Sequence, residues 1–461
     1  MSEKNSRVNK NIVLITATFA SFLVPFMTSS VNIALPTIAQ DLSVDAINLS
    51  WITTSFLLTS AMFAVPFAKV ADIYGMKKIF KYGMIIFVLS SLAAAFSNSV
   101  NLILLFRCIQ GFGASMLFVT SLAMIVSAFP KNERGKAIGI NVSAVYLGLI
   151  CGPVIGGFLN HFLGWRSIFI FAVVVGLISL LLVITELKDY EWAETTEDSI
   201  DYKGSILYML MLALILLGFS NISEPIGLIL LVLGIILLLV FIYLELRVDN
   251  PILEMKLFFN NRRFAFSNLA TLISFASMYS VTFLLSLYLQ YIKGYTSSNA
   301  GLIMCVQTVL MLIISPISGR LSDRYDPGKI SSLGMCIISL STIMLALIDA
   351  NSSLIYIIVT LAILGIGIGI FSAPNTTAIM SSVERKFYGV ASASVSTMRL
   401  VGQTSGMAIC LLAFSLFIGS NQILPNKYPA LITSLRFVFA ISFILSIFAI
   451  FASLARSDVK E

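Results

Sequence analysis

The chain is divided into fourteen apolar segments of about the length that crosses a bilayer, and this succession limits its fold more than any other feature. A helix needs about 20 apolar residues to span the hydrocarbon core. With 58% hydrophobic and 11% charged residues, the chain has too little polar surface for a water-soluble protein of 461 residues. The sequence therefore predicts an all-α integral membrane protein with fourteen transmembrane helices.

The predicted helix boundaries follow the apolar runs, of which the seventh is the shortest. The segments are 12–35, 50–70, 79–96, 102–128, 137–158, 165–185, 205–219, 227–244, 264–291, 298–319, 331–348, 354–371, 389–418 and 430–454. Most of the 29 lysines and arginines lie in alternate connections, beginning with the N-terminus. Because cytoplasmic loops are rich in these residues, we expect a multi-pass protein of the plasma membrane with both termini in the cytoplasm.

The fifth segment contains small residues at intervals of about four. They are Gly148, Gly152, Gly156 and the neighbouring Gly157, with Pro153 among them. Small residues at this spacing let another helix approach closely, and a proline removes one backbone hydrogen bond and favours a bend. We predict that this segment is a conformational hinge. The alternative is a close-packed helix pair with no moving part.

Five glycines recur at a constant offset of 254 residues, which indicates a duplication. The pairs are Gly111 and Gly365, Gly113 and Gly367, Gly135 and Gly389, Gly148 and Gly402, and Gly152 and Gly406. A parallel repeat of this kind is typical of transporters with a binding site between two halves. We predict six-helix bundles at 1–187 and 263–461, joined by an acidic loop, two inserted helices and a connection at 188–262.

A polar loop is also repeated, at an offset of 251. The first copy contains Asp72, Gly75, Lys77 and Lys78, and the second contains Asp323, Arg324 and Gly328. A carboxylate at a helix end can accept hydrogen bonds from a neighbouring helix N-terminus, while lysines hold the opposing face. We predict that these are gating residues that latch one conformation. The alternative is an ordinary positively charged cytoplasmic loop.

Arg107 lies inside the fourth apolar segment, one helical turn before Gln110. A guanidinium within a membrane helix is costly and usually marks a functional site. The equivalent positions in the second half are Leu361 and Leu364, so polarity is present in one half only. We predict a role for both polar residues in substrate binding or coupling. The alternative is that Arg107 snorkels to the outer surface.

Four motifs together resemble those of the fourteen-helix drug/proton antiporters of the major facilitator superfamily, the multidrug efflux permease type. They are the loop 69–78, the helix 4 motif at 107–111, the helix 5 motif at 148–157 and the end of the helix 1 motif at 32–36. The resemblance covers nearly the whole chain. It implies the major-facilitator fold, with two pseudo-symmetric six-helix bundles plus two inserted helices. It also implies export of small amphiphilic drugs, dyes or metabolites by alternating access, antibiotic resistance, and H⁺ as the coupling ion.

One position departs from the family pattern, because Met27 stands where these antiporters place an acidic residue. No aspartate or glutamate lies near the middle of any apolar segment, whereas Arg399 adds a second positive charge. Proton exchange and the binding of cationic drugs both need a carboxylate in a low-dielectric site. An alternative is therefore export or exchange of an organic anion or lipid-like metabolite that protons do not drive. A membrane sensor that transports nothing is a further alternative.

For the cavity between the bundles we predict a lining of aromatic and amide side chains, which supply stacking area and directional hydrogen bonds. Besides Arg107 and Gln110, the predicted residues are Phe26, Asn32, Asn141, Tyr279, Gln307, Arg399 and Gln403. We expect a monomer that contacts a small-molecule substrate and the lipid bilayer, without nucleic acid, cofactor or metal. The sequence has no nucleotide-binding loop, metal cluster or activated nucleophile, so we predict that it is not an enzyme.

Overall fold

The computed structural model describes residues 9–187, 201–248, 251–322, 324–384 and 388–455. Within these ranges, fourteen helices are long and apolar enough to cross a membrane, which confirms the predicted all-α class. In chain order the helices are α1 (Lys10–Leu42), α2 (Ala46–Tyr74), α3 (Met76–Ala95), α4 (Val100–Ala128), α5 (Lys131–Leu163), α6 (Arg166–Glu186), α7 (Tyr202–Ser220), α8 (Pro225–Glu245), α9 (Met255–Asn260), α10 (Arg262–Leu287), α11 (Ser297–Ser322), α12 (Pro327–Ala346), α13 (Leu354–Ser381), α14 (Tyr388–Phe417) and α15 (Tyr428–Ala455). Below, the end of the bundle that holds the start of α1 is the predicted cytoplasmic end, and the other is the predicted outer end.

Most helices extend beyond the apolar segments that predicted them. Helix α1 continues to Leu42, seven residues past the predicted boundary, because hydropathy marks only the apolar part of a helix and Gln40 and Asp41 extend it. The sequence also gave no sign of the short α9 within the polar connection. A π-helical turn at Tyr288–Ile292 prolongs α10.

Short polar side chains set where several helices begin. Asp45 accepts a hydrogen bond from the Asn48 backbone N–H at 2.9 Å before α2, and Asp201 accepts one from Gly204 at 2.9 Å before α7. Such N-caps satisfy backbone donors that have no partner within the helix. At the other end of α2, the chain turns at Gly75 with φ of +105°, a conformation that favours glycine.

In the first half, α1 packs along α5 through the glycines of the fifth segment. A Cβ added to Gly148 would overlap the Phe22 carbonyl oxygen, so the two backbones touch at this position. One turn further, Ser30 Oγ donates a hydrogen bond to the Gly152 carbonyl at 3.0 Å. Close helix contact of this kind is the packing that small residues permit.

The second half repeats this contact between α10 and α14. A Cβ added to Gly402 would overlap the Leu272 carbonyl oxygen, and Ser280 Oγ donates to the Gly406 carbonyl at 3.1 Å. The glycines keep the offset of 254 from the first half, whereas Leu272 and Ser280 follow Phe22 and Ser30 at an offset of 250. The duplication is therefore visible as one helix contact that is built twice.

The inserted pair, α7 and α8, lies against the line where the halves meet. Helix α7 contacts both α2 and α14. Tyr208 Oη donates to the Ala61 carbonyl at 3.2 Å, and Trp51 Nε1 donates to Ser220 Oγ at 2.9 Å. Most of α8 is exposed on the outside of the bundle. The exact division of the chain at 187 and 263 stays a prediction.

Candidate functional site

The Arg107 side chain is fully buried and is held by groups of the first half. Its Nε donates to the Ile52 carbonyl at 3.0 Å and its Nη1 donates to Gln110 Oε1 at 2.6 Å. The guanidinium also lies 4.2 Å from the centre of the Phe56 ring, a cation–π contact. The side chain does not snorkel to the surface, so that alternative is wrong.

Gln110 extends this network to α3, because its Nε2 donates to Ser91 Oγ at 2.6 Å. The equivalent leucines in the second half, Leu361 and Leu364, are also fully buried. The same location in the fold is therefore polar and hydrogen-bonded in one half and apolar in the other.

Asn32 on α1 is buried where the two halves meet. Its Oδ1 accepts a hydrogen bond from Thr53 Oγ1 at 2.8 Å, and its carbonyl accepts one from Ser286 Oγ of the second half at 2.8 Å. This carbonyl has no partner within α1, because Pro36 lacks the N–H that would bond to it. Gln290 Nε2 donates to the next carbonyl, that of Ile33, at 2.9 Å.

Tyr279 on α10 brings the second half to the same location. Its phenol lies within electrostatic range of the Arg107 guanidinium and beside the Asn32 amide. Arg107 Nη2 is buried without a hydrogen-bond partner, and Asn32 Nδ2 and Tyr279 Oη, which lie beside each other, have no partner in good hydrogen-bond geometry. We refer to these three groups as the donor cluster.

All three groups of the donor cluster can donate a hydrogen bond, and the two nitrogens can only donate. An unpaired donor in a buried site costs about 1–3 kcal/mol, more when it is charged. The cluster therefore favours a ligand that brings hydrogen-bond acceptors, such as a carbonyl or a carboxylate. Because its members lie on α1, α4 and α10, such a ligand would contact both halves.

Apart from Gln110, the other predicted cavity residues make no hydrogen bond or ring contact with the donor cluster in the part of the chain that the structure describes. Phe26 is fully buried inside the first half, with its ring 4.8 Å from that of Phe171. The Arg399 guanidinium lies 5.4 Å from the centre of the Phe275 ring. Asn141 and Gln307 are buried, and Gln403 is half-buried. Their assignment to a cavity stays a prediction.

The predicted hinge contacts both halves. Gly156 lies against Ser30 of α1, whereas Gly157 lies against Ser297 at the start of α11. A Cβ added to Gly301 of α11 would overlap the Pro153 carbonyl oxygen. The outer part of α5 is therefore packed backbone to backbone against α11. The structure shows this close approach, and a hinge movement stays a prediction.

Several hydrogen bonds close the predicted outer end between the halves. In addition to the Ser286 and Gln290 bonds, Ser297 Oγ donates to the Gly157 carbonyl at 3.1 Å and Gln422 Nε2 donates to the Ser43 carbonyl at 2.8 Å. The Ala46 backbone N–H also donates to the Asn421 carbonyl at 2.9 Å. We call this set the outer seal.

Toward the predicted cytoplasmic end, the Tyr146 and Ser372 hydroxyl groups, 3.3 Å apart, join α5 of the first half to α13 of the second. Three bonds at the end itself join helices of the same half. Lys10 pairs with Glu133 in the first half, and Asn261 Nδ2 donates to the Ser382 carbonyl at 2.6 Å in the second. Arg263 of α10 lies 3.8 Å from Asp326 Oδ1, which precedes α12. These three bonds stabilise each half and do not connect the two.

The predicted gating residues of the first loop lie at the junction of α2 and α3, where Asp72 and Lys78 each have an interaction partner. Lys77 Nζ donates to the Leu187 carbonyl at 2.8 Å, which ties α3 to the end of α6. Gly75 forms the turn itself. This arrangement positions the loop, and its gating role stays a prediction.

In the second loop, Asp323 lies outside the described residues, so its predicted equivalence to Asp72 is not seen. Arg324 lies in the turn after α11, and the Gly328 backbone N–H donates to Asp326 Oδ1 at 2.6 Å. Asp326 stands at the offset position of Gly75 but has φ of −56°, so the two loops turn differently.

The groups that hold the site together are not evident in the sequence. Thr53, Phe56 and Ser91 gave no signal, because hydroxyl and aromatic side chains occur throughout these helices. Ser286 and Gln290 were also missed, although Pro36 was a usable signal. A proline within a helix leaves a carbonyl free, and a buried carbonyl needs a donor from elsewhere.

Carboxylates are absent from the middle of every helix in the described ranges, and Met27 is fully buried. The described aspartates and glutamates lie at helix ends or in loops. Glu245, the last residue of α8, is the one such side chain in the described ranges with an exposure as low as 1%. No described group of three metal-binding side chains was found.

Comparison with known proteins gives a consistent result. The family model described as "Major Facilitator Superfamily" matches residues 17–407. The chain is 33% identical over 416 residues to the riboflavin transporter RibZ of Clostridioides difficile, covering 90% of each protein. It is 29% identical to the multidrug resistance protein Stp of Mycobacterium tuberculosis (86% of this chain, 74% of Stp). It is 28% identical to the cephamycin export protein CmcT of Amycolatopsis lactamdurans (89% of this chain, 87% of CmcT).

Proposed function

The chain belongs to the Major Facilitator Superfamily, and from that premise we propose that it exports small amphiphilic compounds across the plasma membrane by alternating access. It is a multi-pass membrane transporter of the multidrug-permease type and not an enzyme. The export direction and the class of compound follow the names of relatives such as Stp and CmcT. We place both termini in the cytoplasm, as the loop charges predict.

The observation that carries the proposal is the donor cluster of Arg107, Asn32 and Tyr279. The buried guanidinium has an N–H without an acceptor, and Asn32 and Tyr279 place two more donors beside it from both halves. A bound substrate would satisfy these groups. A ligand that touches both halves can favour one arrangement of the halves over another, which alternating access requires.

The distribution of bonds between the halves supports the same mechanism. The outer seal joins them through five hydrogen bonds at the outer end, whereas the three bonds described at the cytoplasmic end lie within each half and the Tyr146–Ser372 bond crosses nearer the middle of the membrane. In this state the donor cluster lies behind the outer seal. Breaking the seal while the cytoplasmic ends approach each other would open the cluster to the outside.

We propose proton exchange as the driving force, following the antiporters that the sequence resembles. The group that carries the proton differs from the acidic residue that those antiporters place at the position of Met27, because methionine cannot ionise. Carboxylates near the middle of the described helices are absent, so a carboxylate at a helix end or outside the described ranges would carry the proton.

A second candidate, export of an organic anion without proton exchange, is favoured by two observations. The donor cluster includes a buried guanidinium, and Arg399 is a second cationic group within the membrane-spanning part of the second half. Neither forms an ion pair with a described carboxylate. An anion binds at such sites without a coupled proton.

Vesicles reconstituted with the purified protein separate these candidates. The probes are ethidium as a cation, riboflavin as a neutral compound with carbonyl acceptors, and fluorescein as an anion. We expect export of riboflavin that increases with an inwardly directed proton gradient and falls when a protonophore collapses it. Export of fluorescein that is indifferent to the protonophore would instead support the anion candidate.

Failure of all three probes to move, in vesicles that bind them, would contradict transport itself. Empty vesicles and vesicles with the Arg107→Ala variant serve as controls for leakage and for nonspecific uptake of dye.

A further inference from the structure

Glu245 stands apart from the transport site and is nevertheless almost fully buried, with 1% of its surface exposed. It is the last residue of α8, at the predicted cytoplasmic end. Its Oε2 accepts a hydrogen bond from the Leu253 backbone N–H at 2.9 Å, the Ile252 backbone N–H lies close to the carboxylate, and Oε1 has no partner in good hydrogen-bond geometry. Burying an ionised carboxylate with an unpaired oxygen is costly, so this environment favours the protonated form.

The unpaired oxygen lies near a second carboxylate. A Cβ added to Gly204 would lie 2.5 Å from both Glu245 Oε1 and Asp201 Oδ2, so these two oxygens are within about 5 Å of each other. Two carboxylates at this separation repel each other when both are ionised. A proton held between them removes the repulsion and supplies the missing hydrogen bond.

The helix ends decide which of the two carboxylates holds the proton. Asp201 is the N-cap of α7, and its Oδ1 accepts the Gly204 N–H at 2.9 Å. The positive end of the α7 dipole stabilises its negative charge. Glu245 lies at the C-terminal end of α8, where the dipole disfavours a negative charge. The helix C-terminus and the burial therefore both favour the proton on Glu245.

Other charged groups around the pair do not neutralise it. Glu254, which precedes α9, is close enough to add negative charge at Glu245. Of the neighbouring basic residues in the sequence, Lys203 is exposed and Arg247 stacks on a tyrosine ring. Among the described residues, no lysine or arginine forms an ion pair with Glu245 or Asp201.

We propose that Glu245 and Asp201 form a proton-binding site at the predicted cytoplasmic end of the inserted helices, and that this site adjusts transport to the pH on that side. In the protonated state, Glu245 Oε1–H donates to Asp201 Oδ2. The proton comes from water on that side and returns to it when the pH rises. The effect on transport rests on the proposed function, whereas proton binding does not.

The pair lies where a change in its charge can affect helices of both halves. Helix α7 contacts α2 of the first half and α14 of the second, and Glu245 holds Leu253 in the connection that leads to α10. When the proton is lost, two negative charges lie at the predicted cytoplasmic end of α7 and α8. Their repulsion loosens the α7–α8 contact at the point where it is tied to both halves.

Infrared spectroscopy of the purified, full-length protein tests proton binding directly. We expect a carbonyl-stretch band of a protonated carboxyl group that disappears as the pH is raised, and that is absent from the Glu245→Gln variant. Glu224→Gln is the matched control, since Glu224 is an exposed residue at the opposite end of α8. A titrating band that persists unchanged in Glu245→Gln would overturn the proposal.

Exchange of riboflavin in vesicles at equal pH on both sides tests the effect on transport without a proton gradient. We expect the wild-type rate to fall as pH rises and the Glu245→Gln rate to be flat, because glutamine donates to Asp201 permanently. Asp201→Asn should move the transition about 1 unit or more to lower pH, since it removes the repelling charge and still caps α7. A wild-type pH profile in Glu245→Gln would overturn the regulatory part.

The infrared and exchange measurements test different parts of the proposal. If the wild type exchanges no probe, the proposed transport function fails while the infrared titration still decides whether the pair binds a proton. If Glu245→Gln does not fold, the shift of the infrared transition in Asp201→Asn carries the test, and no shift would overturn the pairing.

Discussion

The first half holds a charged side chain in a hydrogen-bonded network at the location where the second half holds leucine. Arg107 and Gln110 correspond to Leu361 and Leu364, and all four are buried. By contrast, the helix contact that Ser30 forms with Gly152 recurs as that of Ser280 with Gly406, at nearly the same distance. The helix packing is therefore the same in both halves, whereas the buried polar network occurs in the first half only.

The largest effect on transport is expected at Arg107, where the two halves differ. Replacing Arg107 by alanine or lysine should lower transport about 10- to 100-fold per folded molecule, since it removes charge-assisted hydrogen bonds or their fork geometry. Flux of riboflavin in vesicles, normalised to the amount of folded protein, measures this effect. Leu361→Ala is the matched control, which should reduce stability by about 2–5 kcal/mol but preserve flux per folded molecule. Equal losses of flux at both positions would contradict the asymmetry.

The second prediction tests the symmetric scaffold. Gly148→Ala and Gly402→Ala each force a Cβ against a backbone carbonyl oxygen, so each should cost about 1–3 kcal/mol of stability. Thermal unfolding of the purified variants measures both costs. Gly139→Ala is the control, because a Cβ there meets nothing within 4 Å. A large cost in one half only would show that the two contacts are not equivalent.

A third and smaller effect concerns the outer seal. Pro36→Ala supplies the N–H that α1 lacks, which competes with Ser286 for the Asn32 carbonyl and should weaken the seal by about 0.5–1.5 kcal/mol. Faster labelling of a cysteine introduced at Gln40 by an impermeant maleimide measures the opening. Pro25→Ala on the same helix should leave the labelling rate unchanged. Slower labelling in Pro36→Ala would contradict this role of the proline.

The smallest effect is expected for the hydrogen bond that occurs in both halves, from Ser30 to Gly152 and from Ser280 to Gly406. Ser30→Ala and Ser280→Ala should each cost about 0.5–1 kcal/mol, the usual value for a hydrogen bond between membrane helices. Thermal unfolding compares the two, and the double variant should show additive costs because the sites are far apart. A clear difference between the single variants would limit the symmetry to backbone packing.

The fold was predictable from the sequence because hydropathy, loop charge and the glycine repeat all depend on local residue type. Arg107 was predictable for a similar reason, since a guanidinium in an apolar run has few alternatives. Its partners were not, because Ile52 contributes a backbone carbonyl and Ser91 an unremarkable hydroxyl. Which carbonyl or hydroxyl meets a given side chain depends on the tertiary arrangement.

The predicted cavity residues show the limit of composition as a guide. Aromatic rings suit amphiphilic ligands, which predicts Phe26 in the cavity, but its ring packs against Phe171 within the first half. Aromatic side chains fill the interior of any helix bundle as readily as a ligand site. Ser286, in contrast, occupies the position equivalent to Pro36 and donates to the carbonyl that this proline leaves free. The sequence could have shown that the Asn32 carbonyl needs a donor, but not that Ser286 provides it.

The outer seal draws its donors mainly from side chains of the second half and its acceptors from main-chain carbonyls of the first. Every amino acid provides such a carbonyl, so most positions of the accepting wall keep their bonds whichever residues they carry. One exception is Pro36, which frees the Asn32 carbonyl. The other is Gly157, where a Cβ would overlap Ser297. Over evolutionary time, that wall is free to change its side chains as the compounds to be exported change. The second-half side chains that donate these bonds have no such freedom. Relatives that transport different compounds should therefore differ more at the first-half residues of the outer seal than at its second-half residues.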